Sequence, residues 1–242
     1  MAKHYGYPDV MVPLNAPGYV CGLGSVGPHL SAEGSDMGLF TSVDGGLTWN
    51  ESLKGAYLYS STPDAGFLLA ASINSKSSDV YVSYNWGMNW TAVQFIAKDH
   101  TVYVVDIRPA CIVLEPCTAF WITFRERKDP KFEITNRNMY VDIRNHLHIK
   151  NCTGLDQASV SLGTSDFEKF RPHEPGSDCR LYIISGFMGR AGYYIRKKRE
   201  SSCFLNLVMP SEFQSENKCK CRLEDWECDF GYERMIGTDV CV

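Results

Sequence analysis

The sequence lacks the short motifs that assign an enzymatic function directly. It has no H-E-x-x-H, G-x-S-x-G or Walker pattern, so no motif in it indicates a zinc protease, a serine hydrolase or a P-loop nucleotide-binding protein. Positive charge is not in excess, since the formal net charge is −4, and this excludes a strongly basic nucleic-acid-binding protein. We therefore expect a protein without catalytic residues, without a cofactor and without a nucleic-acid partner.

Long apolar runs are also missing. Residues 1–18 contain no apolar core of the length, about 7 to 15 residues, that a signal peptide needs. The most apolar window, Val102–Phe124, is interrupted by charged residues and prolines, so it does not predict a transmembrane helix. Any attachment to a membrane would depend on a transmembrane segment absent from this chain.

Cysteine, by contrast, is abundant. The chain has ten cysteines, seven of them after residue 150, which is typical of a disulfide-stapled module in an oxidising compartment. Three N-glycosylation sequons, at Asn50, Asn89 and Asn151, favour the same lumenal or extracellular setting. A protein of this kind needs an entry signal, so we expect the chain to be a piece of a longer protein.

The most informative feature is a repeated eight-residue pattern. Ser42–Trp49 and Ser83–Trp90 stand 41 residues apart and follow the Asp-box pattern S-x-D-x-G-x-T-W. In such a turn the Asp or Asn accepts hydrogen bonds from turn amides, Gly supplies positive φ, and Trp packs its indole between neighbouring strands. The structural residues predicted here are Ser42, Asp44, Gly46, Thr48 and Trp49 in the first box, and Ser83, Asn85, Gly87 and Trp90 in the second.

A period near 40 residues is typical of a four-stranded propeller blade. Short β-rich runs separated by Gly and Pro fill residues 1–145, which predicts two to three final blades of a β-propeller. The predicted strand segments are 10–14, 18–23, 38–42, 56–61, 66–72, 79–84, 91–97, 101–107, 119–125 and 139–143. The fold class is therefore mainly β, a partial Asp-box propeller followed by a small disulfide-rich module.

That module spans residues 146–242, where apolar runs thin out and strands are expected only at 180–186 and 192–196. The C-x-C pair Cys219 and Cys221 favours disulfides over zinc, whose cysteine pairs are usually spaced C-x-x-C. The acidic residues that surround it are interpreted as a solvated loop. The run Arg196–Arg199 satisfies a furin-like consensus, but we interpret it as a solvated basic turn.

Two further patterns do not support a ligand site. Gly22–Gly27 matches G-x-G-x-x-G, but no βαβ unit follows it, so we interpret it as a loop and not as a dinucleotide site. His146 and His148 alternate on a short strand-like segment without a third ligand nearby, and we expect them to be surface histidines. No metal site is predicted.

Together, the Asp boxes and the cysteine-rich ending resemble the sortilin family of vacuolar protein-sorting receptors. The ending, CKCRLEDWECDFGYERMIGTDVC at 219–241, carries the most specific part of the likeness. Residues 194–199 before Cys203, and GFLLAAS at 66–72 leading to the second box, also fit. The resemblance implies the last propeller blades followed by a ten-cysteine module that is truncated at its C-terminus in this chain.

The family pattern implies three disulfides. They are Cys152–Cys203, Cys179–Cys219 and Cys228–Cys241. In that pattern Cys221 pairs with a cysteine further downstream, so its partner is not in this sequence. Cys111 and Cys117 are close enough to pair with each other, while the state of Cys21 stays open.

The resemblance also implies a function. It predicts a non-catalytic lumenal part of a receptor that binds protein or peptide cargo and acts between Golgi, endosome and vacuole or at the cell surface. The alternative is a sialidase-like Asp-box glycosidase, which would need arginines, a tyrosine and acidic residues converging at one centre. Arg108, Arg125 and Tyr103 are kept as possible fragments of such a set.

Overall fold

The structure of the chain is a computed structural model. It describes residues 10–28, 36–111, 116–129, 132–147, 149–171, 190–205, 212, 214–218, 228–238 and 240–242. In this part of the chain β-strand is far more abundant than helix, and the strands form separate sheets rather than a closed barrel, which confirms the mainly β prediction. Three disulfides accompany the strands. No helix in the described ranges has the length and apolar content to span a membrane.

Within the described residues, thirteen strands form four sheets, and every strand pair of the first three sheets is antiparallel. The first holds β1 (Val20–Ser25), β2 (Met37–Ser42) and β3 (Asn50–Lys54), and the second holds β4 (Tyr57–Ser61), β5 (Leu68–Ser72), β6 (Asp79–Ser83) and β7 (Thr91–Gln94). The third holds β8 (Tyr103–Pro109), β9 (Ala119–Asp129) and β10 (Phe132–Asp142), and the fourth holds β11 (Phe167–Phe170), β12 (Arg190–Lys197) and β13 (Gln214–Lys218). Each Asp box connects the last two strands of its sheet.

The second sheet is a complete four-stranded blade with strands in the order β4-β5-β6-β7. Its strand β5 is buried on both faces, because Leu68 and Ala70 lie in one apolar cluster while Leu69 and Ala71 lie in another. Successive side chains of a strand point to opposite faces, so a strand buried on both sides must be apolar throughout. This explains the unbroken GFLLAAS run.

The first sheet covers one face of this blade. Its strands contribute Cys21 and Leu39 to the cluster that contains Leu68 and Ala70. The strand expected at 10–14 is reduced to a single bridge between Met11 and Cys21, because Pro13 has no N–H to donate to a ladder. The remaining predicted segments up to residue 143 all coincide with strands, whereas β3 was not predicted because its sequence, NESLK, is largely polar.

The third sheet covers the other face of the blade. Phe120, Ile122 and Phe124 of β9 alternate inward into the same cluster as Leu69, and Phe124 meets Phe95 edge to face with ring centroids 5.8 Å apart. On the outward face Trp121 and Tyr140 are paired across β9 and β10 and remain exposed. The blade is therefore held between two sheets by two separate apolar cores.

The whole chain divides into two compact units. One contains Met1–Glu168 together with Arg196–Ser211, and the other contains Lys169–Ile195 together with Glu212–Val242. The first unit includes the short helix α1 (Gln157–Leu162), whose N-terminus is capped by the Asp156 carboxylate, which accepts a hydrogen bond from Ser159 N. The segment Arg196–Ser211 thus belongs to the same unit as the blades.

Two local interpretations made from the sequence are wrong. The glycine-rich stretch Gly22–Gly27 is not a loop in its first half, because Gly22 and Gly24 lie in β1, where the side chains of Val10 and Phe40 occupy the space beside them. His146 does not lie on a strand: it ends a 3₁₀ turn, Ile143–Asn145, and is exposed. The turn forms because Asp142 caps it by accepting from Arg144 N. His148 and the strand expected at 180–186 lie outside the described residues.

Candidate functional site at the Asp-box turns

The first Asp box is a closed network of short hydrogen bonds. The Ser42 hydroxyl donates to Asp44 Oδ1 at 2.7 Å and accepts from Gly46 N at 2.8 Å. The Asp44 carboxylate also accepts from Thr48 N at 2.9 Å and from the Thr48 hydroxyl at 2.5 Å. Each fixed residue of the pattern therefore satisfies a polar group of the turn. These contacts show that the Asp44 carboxylate holds the turn together.

Asp44 is poised to stay ionised. The hydrogen bonds from Thr48, followed by that from Ser42, stabilise the carboxylate and lower the pKa of Asp44 to about 2. Acidification of a cellular compartment does not approach that value, so the charged form of the turn persists there.

Trp49 differs from the prediction. It is 43% exposed rather than packed between strands, and its indole Nε1 donates to Gly46 O of its own turn at 2.9 Å. The indole folds back over Gly46, whose φ of +94° is the feature of this position that favours glycine.

The second box repeats the network in a buried setting. Asn85 is 6% exposed, and its Oδ1 accepts from the Ser83 hydroxyl and from Asn89 N, both at 3.0 Å. Gly87 N donates to Ser83 Oγ at 2.9 Å, as Gly46 does in the first box. An amide provides the same acceptor as a carboxylate without placing a charge in a buried site. The departure from Asp to Asn thus matches the greater burial of this turn.

The two boxes are joined through Ser52 of β3. Its hydroxyl donates to Gly87 O at 2.5 Å and accepts from Trp90 Nε1 at 2.9 Å. A Cβ added to Gly87 would lie 2.6 Å from Ser52 Oγ, so glycine is required here for close approach as well as for its φ of +81°. From the sequence, Ser52 was identified only as the third residue of the Asn50 sequon.

Trp86 occupies the position in the second box that Gly45 occupies in the first. It has a φ of +59°, a conformation that bulky residues rarely adopt, and it is fully buried. Its ring lies 5.4 Å from the Tyr19 ring, and the guanidinium of Arg196 lies 5.0 Å from its centre. Full burial and the contacts with Tyr19 and Arg196 hold Trp86 in a backbone conformation that is unfavourable for a bulky residue.

Arg196 lies at the centre of these contacts. Its Nη1 donates to Pro17 O at 2.9 Å and to Val43 O at 2.7 Å, and its Nε donates to Glu168 at 2.7 Å. The residue is 8% exposed, and burial lowers its pKa while Glu168 opposes that shift. One buried guanidinium therefore satisfies two backbone carbonyls and a carboxylate.

Lys197 makes the equivalent contact in the other box. Its ammonium donates to Tyr84 O. Tyr84 is the second residue of the second box, as Val43 is of the first, so two consecutive cations bind the same carbonyl position of two boxes. The sequence interpretation of this run as a solvated basic turn is wrong, because Arg196 and Lys197 end strand β12 and are buried.

The segment that follows is fixed by further contacts. We call residues 196–205 the anchor segment. Cys203 forms a disulfide with Cys152, and Phe204 exchanges backbone hydrogen bonds with Lys150 and Cys152 and stacks on Phe67 of the blade at 5.6 Å. The anchor segment is thus attached to the blades by two cations and an aromatic side chain, and to Cys152 by a disulfide.

Burial also shifts the titration of Lys197 and of a nearby carboxyl. Burial lowers the pKa of Lys197 to about 8, although the charges of Asp64 and Asp166 favour its protonated form. The pKa of Asp64 is raised by burial, against hydrogen bonds from Thr62 and Gly66 and the charge of Lys197. With a pKa of about 8, Lys197 is still mostly protonated at neutral pH, but it loses its charge at a much lower pH than an exposed lysine does.

Further disulfides stand at other predicted positions. Cys228 and Cys241 are bonded to each other, as the resemblance implies, and Cys111 is bonded to Cys117. Cys21 is a buried free thiol whose pKa is raised by burial to about 12. The implied Cys179–Cys219 pair, Cys221 and the acidic residues 224–227 lie outside the described residues.

The sialidase-type candidates lie on strands of the third sheet. Tyr103 of β8 stands opposite Arg125 of β9, and both are exposed. Arg108 lies five residues further along β8 and forms an ion pair with Asp106 at 2.6 Å. Within the described ranges, no group of three His, Cys, Asp or Glu side chains could hold a metal ion.

Comparison with known proteins gives two family matches in succession. The model described as "Sortilin, neurotensin receptor 3" matches residues 3–107, and the model described as "Sortilin, neurotensin receptor 3, C-terminal" matches residues 118–242. Together they cover both the Asp boxes and the cysteine-rich part.

Individual proteins agree with this. The chain is similar to vacuolar protein sorting/targeting protein 10 of Schizosaccharomyces japonicus, with 31% identity over 91% of this chain. The proteins of the same name from Lodderomyces elongisporus and Penicillium rubens are 27% and 29% identical over 97% and 94% of this chain. The chain spans only 14–15% of the length of these relatives.

Replacing the two turn glycines by alanine tests the contact between the boxes. Gly45 and Gly87 both have positive φ, but an added Cβ meets nothing within 4 Å at Gly45 and meets Ser52 at Gly87. We expect Gly45→Ala to lower the free energy of unfolding by about 1 kcal/mol and Gly87→Ala by about 2–4 kcal/mol. Urea denaturation measures both, and equal losses would contradict the close approach to Ser52.

Replacing Arg196 tests the anchor segment. Arg196→Met leaves Pro17 O, Val43 O and Glu168 without their buried donor, so we expect a loss of about 3–5 kcal/mol in the free energy of unfolding. Lys198→Ala is the matched control, because the Lys198 ammonium makes only an exposed contact with Gly163 O, and its effect should stay within about 0.5 kcal/mol. A similar small effect at both positions would show that the buried contacts do not stabilise the fold.

The low pKa of Lys197 predicts a pH dependence. The folded chain binds this proton less tightly than the unfolded chain, so its contribution to stability rises as pH increases from about 8 to 10.5 and is lost below pH 8. The full rise is about 3 kcal/mol. The free energy of unfolding, measured at several pH values for the protein and for Lys197→Met, should show this rise only with lysine present. The same pH profile in both proteins would refute it.

Proposed function

The chain belongs to the sortilin family, and from this premise we propose that it forms the non-catalytic lumenal part of a sorting receptor that binds protein or peptide cargo. The proposed transport route runs between Golgi, endosome and vacuole. Relatives that match almost the whole chain are named for vacuolar protein sorting and targeting, and not for an enzymatic reaction. The chain would lie on the lumenal side of the membrane or at the cell surface.

One observation carries the proposal. The part of the chain matched by the second family model returns, at residues 196–205, to hold the Asp-box turns in the part matched by the first. Blades fixed in this way present side chains on a rigid support, and a preorganised surface loses less entropy when it binds a protein or peptide. This arrangement supports a binding function for the blades.

The chemistry of the turns suits an oxidising and acidifying lumen. Disulfides are stable in such a compartment, and Asp44 keeps its charge because its pKa is about 2. The sequon residues Asn50, Asn89 and Asn151 are all exposed, and we propose that each carries an N-linked glycan.

A chimeric receptor tests the proposed function. The matching segment of the Schizosaccharomyces japonicus protein is replaced by this chain, and the fraction of a soluble vacuolar hydrolase that cells secrete is measured. We expect the chimera to retain the hydrolase, a chimera with Arg196→Met to secrete it, and one with Lys198→Ala to retain it. Secretion as in cells without the receptor, from a chimera that reaches the Golgi in normal amount, would reject the proposal.

A further inference from the structure

We propose that the glycan on Asn89 shields the uncharged edge strand β7 from pairing with another chain. The inference rests on the lumenal setting of the proposed function, because glycan transfer takes place there. It goes beyond that function by giving one sequon a specific role that the other two do not share.

Both Asp boxes lead directly into an edge strand. Among the described residues, β3 pairs only with β2 and β7 pairs only with β6, so each leaves one row of backbone N–H and C=O groups without a sheet partner. Such an edge is a template for a strand of another molecule, which would approach to about 4.8 Å. The sequons lie at the start of these edges: Asn50 is the first residue of β3, and Asn89 stands two residues before β7.

The two edges differ in charge. Strand β3 carries Glu51 and Lys54, both exposed, and charged side chains are a common protection against edge pairing. Strand β7 has the sequence TAVQ with no charge, and its residues Thr91, Ala92 and Gln94 are exposed. Only β7 therefore depends on something other than its own side chains for protection.

Asn89 is well placed to supply that protection. Its side chain is exposed, while its backbone N–H donates to Asn85 Oδ1, so the turn fixes the point from which a glycan would extend. In the transfer, Asn89 Nδ2 forms a bond to C1 of an oligosaccharide, the bond from C1 to a lipid pyrophosphate breaks, and the amide loses one proton. A large hydrated group at this point occupies the space that a pairing strand would need.

Asn151 contrasts with this arrangement. It forms a bridge with Phe204 next to the Cys152–Cys203 disulfide and does not begin an edge strand of a blade. A glycan there is exposed but has no open edge to cover.

The first experiment establishes the modification. The 242-residue chain is secreted from a eukaryotic host, and its gel mobility is compared before and after treatment with an N-glycosidase. Asn89→Gln and Thr91→Ala should each lose one glycan, whereas Thr91→Ser keeps the sequon and should keep the glycan. Unchanged mobility of Asn89→Gln and Thr91→Ala would show that Asn89 is not modified, and the inference would fail without affecting the test of cargo sorting.

The second experiment tests the shielding. We expect the fraction of secreted chain in high-mass species, measured by size exclusion with light scattering, to rise roughly twofold or more in Asn89→Gln and Thr91→Ala. Asn50→Gln should match the unaltered chain because β3 keeps its charges. Adding Ala92→Lys to Asn89→Gln places a charge on the exposed edge and should restore the original fraction. Equal fractions in Asn89→Gln and Asn50→Gln, or no rescue by Ala92→Lys, would overturn the role of the glycan.

Discussion

Two consecutive buried side chains, Arg196 and Lys197, bind the same carbonyl position of two Asp boxes and so join two blades to one strand. Arg196 donates to Val43 O and Lys197 donates to Tyr84 O. The two cations are the last two residues of strand β12. Burial of a charge is unfavourable unless hydrogen bonds replace the lost water, and here backbone carbonyls and Glu168 supply them. The Cys152–Cys203 disulfide and the stacking of Phe204 on Phe67 hold the segment that directly follows β12.

The same turn pattern serves two environments through small changes of sequence. The first box is exposed enough to use a carboxylate, and the second, being buried, uses the amide of Asn85. Trp86 of the second box stands where the first box has Gly45, and its large side chain contacts Tyr19 and Arg196. The consensus pattern alone does not show that the second box departs from it because that box is more deeply buried.

Much of the blade architecture could be predicted from the sequence. The spacing of the boxes and apolar runs such as GFLLAAS are patterns among residues close together in the sequence. The strands and the repeat could therefore be predicted without the structure. The role of Ser52 and of the Arg196–Lys197 pair could not be found in this way. Both act on residues far away in sequence, and a basic run is usually solvated because isolated charges avoid burial. Strand β3 was missed since its side chains lie at an edge and need not be apolar.

The contacts of the anchor segment have a consequence for biosynthesis. The carbonyls of Val43 and Tyr84 precede their cationic partners by 153 and 113 residues. During synthesis at the usual rate, both turns are therefore made on the order of ten seconds before the residues that complete them. Throughout that interval the blades have their strands but lack their last buried donors. The nascent chain thus passes through a defined period in which chaperones can act on incompletely assembled blades.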